Sequence, residues 1–177
     1  MNSKIKSLDY SVLTTSSLVI SVVCIVIGGL VLLGWWSDIE YLKSVVPSFV
    51  TMKVNTALCF IFVGSSLFLL HRNLTKHNNL WLAQIFAALV GTISLLTLLE
   101  IIFQWNLGID ELLLKQSLDK FVTASPGRMA LATALTFFLI SVALLLLGFE
   151  KRKAEWAAQI ITLVTSIIPL ISLICYF

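Results

Sequence analysis

Charge is scarce in this chain. Of its 177 residues only 12% are Asp, Glu, Lys or Arg while 59% are hydrophobic, and a soluble domain carries roughly a quarter charged residues. That excludes an ordinary water-soluble domain and leaves an integral membrane protein. The net charge of +3 is small and sits at the ends of apolar runs, which excludes a nucleic-acid surface and leaves charge to bear on orientation. Cysteine and histidine are equally sparse. Cys24, Cys59 and Cys175 lie inside apolar runs with no CxxC pairing, so they read as small packing residues. His71 and His77, six residues apart and beside Arg72 and Lys76, share no helical face, which argues against a metal or haem site. A Gly-rich phosphate loop, HExxH, GxSxG and a carboxylate pair within a span are all missing. The chain is therefore not expected to be an enzyme, and no metal is expected.

Long apolar runs are what the sequence has. A helix needs about 20 apolar residues to cross the hydrocarbon core, and the runs 13–34, 54–70, 80–103, 129–149 and 156–177 qualify. The first follows Lys4 and Lys6 but exceeds the roughly 7–15 residues of a signal-peptide core, so it reads as a retained anchor. Arg72, Lys76, Lys151, Arg152 and Lys153 crowd the two short connections. The positive-inside rule then puts the amino terminus and those loops in the cytoplasm. The longer connections mix both signs. Trp81 and Trp156 open spans at the cytoplasmic side, and Trp35, Trp36 and Trp105 close them at the other, as interfacial aromatic belts do.

The runs are also related to one another. MKVNTALCF from Met52 and MALATALTF from Met129 share Met, Thr, Ala, Leu and Phe in one register. WLAQ from Trp81 and WAAQ from Trp156 share three of their four residues, and GWWSDIEYL pairs with QWNLGIDELL through a Trp, an Ile-acid dipeptide and a later Leu. The implied fold is all-α and transmembrane, a single domain of five helices. It holds two helical-hairpin repeats, about 13–72 and 81–152, and the first helix, 156–177, of an incomplete third. Each hairpin is closed on the outside by a short amphipathic helix. In the first of these, Ser37 or Asp38 is the expected cap and Ile39, Leu42 and Val46 the apolar underside before Pro47. In the second, Ile109, Leu112, Leu113 and Phe121 take that part before Pro126. Ser17, Ser21, Cys24 and Gly28, and likewise Ala83, Ala87, Gly91 and Ser94, trace small-residue faces that read as helix contact seams.

One ionisable residue breaks an apolar run. Glu100 lies in the last turn of the third run, where a carboxylate needs a cavity or a partner. Asn55 is a similar polar intrusion, and Arg128 is the expected counter-charge. With Trp35, Trp36 and Trp105 as aromatic walls, these residues outline a shallow ligand site beneath the outer connections, of unknown ligand and cofactor.

The stretches GWWSDIEYLKSVVPSFVTMKVNTALCFIFVGSSLFLL, FQWNLGIDELL and PGRMALATALTFFLISVALLLL resemble the amino-terminal membrane region of bacterial sensory proteins, chiefly PAS-containing histidine kinases and diguanylate cyclases. The resemblance runs from about residue 30 to 177 and rests on the NTAL and PGRM elements. It implies a sensory input module for two-component or related signal transduction, in a bacterial inner membrane. The family has Asn before Thr-Ala-Leu in both copies; here Asn55 keeps it and Ala132 does not. Its third hairpin and cytoplasmic output lie outside this sequence. The competing expectation is a small accessory subunit that docks on a larger membrane complex and carries pigment or lipid. Either way, a second copy or another membrane protein is expected along 156–177.

Overall fold

The computed structural model describes residues 2–43, 51–73, 80–105, 128–149 and 151–176, and among them every regular element is a helix. The order is α1 (Asn2–Trp36), α2 (Glu40–Lys43), α3 (Val54–Asn73), α4 (Leu80–Phe103), α5 (Leu131–Leu147) and α6 (Arg152–Tyr176). Four stretches are long and apolar enough to cross a membrane: Thr14–Trp36, Val54–His71, Leu80–Phe103 and Arg152–Cys175. They fall on four of the five expected runs. The remaining run forms α5, whose 17 residues extend roughly 25 Å at the helical rise, short of the roughly 30 Å hydrocarbon core.

The helices pack in a row with a thickened middle. Among the described residues α1 touches α2 and α3, α6 touches α5, and α3, α4 and α5 all touch one another. That trio holds the core of Cys59, Val90, Leu98, Met129, Ala134 and Phe137. Lipid tails are as apolar as leucine, so such helices associate through close van der Waals fit rather than through the hydrophobic effect. The small residues are where that fit is made. A Cβ added to Gly28 would lie 2.5 Å from the Ala57 carbonyl oxygen, and one added to Gly64 would lie 2.6 Å from that of Ser21. These two contacts run α1 and α3 antiparallel. In the next pair, a Cβ at Gly91 would lie 2.9 Å from Ser141 Oγ, and Ala83, Ala87 and Ser94 are buried on the same face of α4. Both expected seams are thus helix contacts. Their hydroxyls are satisfied locally: Ser21 donates to the Leu18 carbonyl at 2.7 Å, Ser94 to Val90 at 2.7 Å and Ser141 to Phe138 at 2.7 Å. Ser66 donates instead across the α3–α4 contact to Ala83, at 2.8 Å, which removes the cost of an unbonded hydroxyl in an apolar interior.

The duplicated nonapeptides start helices at the same register. Val54 and Leu131, the third residue of each, are the first residues of α3 and α5. Each helix is entered by the same bond, Ala57 N–H to the Lys53 carbonyl at 3.0 Å and Ala134 N–H to the Ala130 carbonyl at 2.9 Å. The last residues of the two copies, Phe60 and Phe137, meet edge to face at 5.3 Å between centroids.

The expected outer helix of the first connection is observed in part. Asp38 does not cap it. With φ at 54°, in the left-handed region that Asp tolerates better than most residues, Asp38 closes α1 instead. Ser37 N–H returns to the Leu33 carbonyl at 2.9 Å and Ile39 N–H to that of Gly34 at 3.0 Å, using carbonyls that a helix end leaves open. The reversal lays Leu42 directly on Gly34, where an added Cβ would lie 2.6 Å from the Leu42 Cβ. Ile39, expected on the underside with Leu42, is 43% exposed, because the turn carries it to the other side of α2. Val46, Pro47 and the whole second connection with Ile109, Leu112, Leu113 and Phe121 lie outside the described residues.

Candidate functional site

Antiparallel packing decides which polar residues become neighbours. Ser66, late in α3, bonds to Ala83, early in α4, so the first turn of α3 lies beside the last turn of α4. Asn55 opens the one and Glu100 ends the other. Both are buried, Asn55 at 3% exposure and Glu100 at 0%. Residue 128 stands just ahead of α5, which runs beside α4 in the opposite sense, so Arg128 reaches the same end.

Arg128 Nε lies 3.8 Å from Glu100 Oε2, with 18% of the arginine side chain exposed. The expected counter-charge is in place. Its Nη2 also donates to the Trp105 carbonyl at 3.0 Å, tying the segment after α4 to the start of α5. Gln104, at φ 53°, turns the chain so that Trp105 stacks on Phe103 at 5.0 Å. The Trp105 ring is 55% exposed; its carbonyl, rather than its ring, serves Glu100's partner. The guanidinium spans two groups at once, which its planar set of five donors permits and an ammonium would do less well.

Trp35 and Trp36 face opposite ways. Trp35 is half-buried, donates Nε1–H to the Met52 carbonyl at 2.9 Å, and has Lys43 Nζ over its ring at 4.8 Å from the centroid. The neighbouring backbone completes the clasp, with Met52 N–H bonded to the Lys43 carbonyl at 2.8 Å. Trp36 is 89% exposed and takes no part in it. Of the six expected site residues, then, Glu100, Arg128 and Trp105 are joined by direct contacts, Asn55 is buried at the same end, Trp35 belongs to a second cluster around Lys43, and Trp36 points away.

Two lysines were not singled out by their sequence setting. Lys43 and Lys53 are buried, at 8% and 7% exposure, although each belongs to a connection of mixed charge. Lys43 forms an ion pair and hydrogen bond with Asp38, whose own side chain is 92% exposed. That hydrogen bond, then the lysine charge, holds the Asp38 carboxyl below its ordinary range. The available signal for Lys43 was its place in a turn between an acid and a helix. For Lys53 it was the lysine inside a nonapeptide whose other copy has Ala130.

The end of the bundle thus carries one buried acid, two buried lysines and a largely buried arginine, with Glu100 paired to Arg128, Arg128 bonded to the Trp105 carbonyl and Lys43 paired to the exposed Asp38. Among the described residues no group of three His, Cys, Asp or Glu side chains could hold a metal ion. The arrangement can bind through charge and hydrogen bonding. No family model, curated protein or solved structure matches the chain.

Proposed function

We propose that the chain is a membrane-embedded sensory input module of a bacterial signalling protein, its enzymatic output lying outside these residues. The observation that carries the proposal is the fully buried Glu100 tied to Arg128, and through it to Trp105, at the end of the bundle where the duplicated stretches begin. An ionisable residue is costly inside a span and tends to be kept for a functional reason. A group binding beside the pair would change the tie between α4 and α5, which is what an input module requires. Trp35, Asn55, Glu100, Trp105 and Arg128 make up the proposed site.

In this reading α5 crosses with α1, α3, α4 and α6, by thinning the bilayer or by extending through its flanks. α1–α3 and α4–α5 are the two repeats, with the amino terminus and the short connections in the cytoplasm. Equal starts for α3 and α5 and the Phe60–Phe137 contact support the repeat. Orientation is tested by thiol labelling in intact cells after replacement of Cys24, Cys59 and Cys175. A Ser117→Cys protein should react with an impermeant reagent and an Asn78→Cys protein should not; the reverse pattern inverts the topology.

A second reading, the accessory subunit, draws on α6. Trp81 and Trp156 are exposed alike and Ala83 and Ala158 buried alike, so the two Trp-x-Ala-Gln stretches present the same faces although α6 starts three residues further ahead of its tryptophan. Gln84 packs over Gly148 near the end of α5, whereas Gln159 is exposed. That is the position at which a further helix would dock, from a second copy or another membrane protein. Native mass spectrometry of the protein extracted in nanodiscs from the cells that make it distinguishes the two. A signalling kinase or cyclase in fixed ratio supports the sensor, a multisubunit membrane complex supports the subunit, and a bare monomer sinks both.

A further inference from the structure

Consecutive tryptophans with opposite surroundings need an explanation that the buried site does not supply. Trp35 is held by Met52 and Lys43, while Trp36 is 89% exposed, Tyr41 79% and Ile39 43%. The turn sorts them. Asp38 in the left-handed region and Leu42 seated on Gly34 fix α2 against the end of α1, and the Asp38–Lys43 pair locks its far end. Leu42 and Lys43 therefore face the protein, and Trp36, Ile39 and Tyr41 are left on the outside of the turn.

This outer face is continuous with the flank that α1 shows to the membrane. Val26, Leu30 and Leu33 are 49%, 46% and 59% exposed, and they lead at steps of four, three and three into Trp36. The charged groups of the turn, Asp38 and Glu40, are exposed beside it, where water or headgroups solvate them. An apolar stripe that ends in Trp, Ile and Tyr and then in exposed carboxylates has the polarity profile of the bilayer's interfacial layer, where amphipathic rings are favoured.

We propose that Trp36, Ile39 and Tyr41 form a lipid-interface anchor at the headgroup and glycerol level, which fixes the depth of α1. The clasp of Trp35, Lys43 and Met52 passes that depth to the start of α3. The anchor is independent of the signalling role. The occupant is phospholipid, not protein.

Fluorescence in vesicles of phosphatidylethanolamine and phosphatidylglycerol tests it. A protein keeping only Trp36, with the other four tryptophans changed to Phe, should be quenched at least about twofold more by a headgroup-level nitroxide lipid than by a mid-chain one. It should respond weakly to aqueous iodide. A protein keeping only Trp35 should be protected from all three. Should the loss of Trp35 disturb folding, Tyr41→Cys in a protein lacking the native cysteines, labelled with an environment-sensitive dye, reads the same depth with all tryptophans in place. Strong iodide quenching would put the face in water, dominant mid-chain quenching would bury it too deeply, and silence to every quencher would mean that protein covers it. Each of these overturns the anchor.

Discussion

Where α1 meets α3, the limit of approach is backbone: Gly28 against the Ala57 carbonyl and Gly64 against that of Ser21. Where α4 meets α5, it is the Ser141 hydroxyl against Gly91, an atom that can rotate. The ends of the two pairs differ in the opposite sense. Beyond α1 an exposed carboxylate, Asp38, pairs with a buried lysine; beyond α4 a fully buried carboxylate pairs with Arg128. One pair is tight along its length and wet at its end, the other more forgiving along its length and dry at its end. Close packing costs little to keep and much to breach, whereas a desolvated ion pair stands only while both partners remain.

The dry end should give the largest effect. Glu100→Ala leaves Arg128 without its carboxylate and should cost roughly 3–5 kcal/mol, measured by reversible unfolding in mixed micelles, with Glu100→Gln costing less. Loss below about 1 kcal/mol for the alanine variant would mean that water screens the pair as it would a surface one. Next come the backbone-limited contacts. Gly64→Ala or Gly28→Ala should each cost about 1–3 kcal/mol, because no side chain can yield. Gly91→Ala should cost less than about 1 kcal/mol, and Ser141→Gly in the same protein should return part of it. Equal costs in the two pairs would erase the contrast.

The smallest effect belongs to the wet end and is read by pH. The hydrogen bond from Lys43 and its charge hold the folded carboxyl of Asp38 below the ordinary aspartate value, so its contribution is complete above that ordinary value and is lost as pH falls through the lower folded one. Asp38→Asn should flatten this acid limb and lower stability at neutral pH by the small amount that the limb represents. The signal is loss of Trp35 protection from iodide at acid pH in the parent protein, by release of Lys43. A limb that persists in Asp38→Asn would assign it to another group.

Run length picked out four of the five expected runs as helices long and apolar enough to cross a membrane, because the bilayer asks only for enough consecutive apolar residues, which is a local property; the fifth, 129–149, folded into the shorter α5. The expected runs 54–70 and 80–103 lie against candidate spans Val54–His71 and Leu80–Phe103. The small-residue seams were legible for the same reason: a helix has a fixed periodicity, so residues at steps of three and four share a face whatever lies opposite. Glu100 and its partner were half legible. A lone acid in an apolar run demands a counter-charge, and Arg128, just ahead of the fourth run, was the one expected. Only the tertiary structure decided that Arg128 also holds the Trp105 carbonyl, that Lys43 and Lys53 are buried, and that Trp35 turns inward while Trp36 turns out. Those outcomes depend on how far α2 folds back and on which helix ends meet. One left-handed residue, Asp38, sets the first, and packing between segments distant in the chain sets the second.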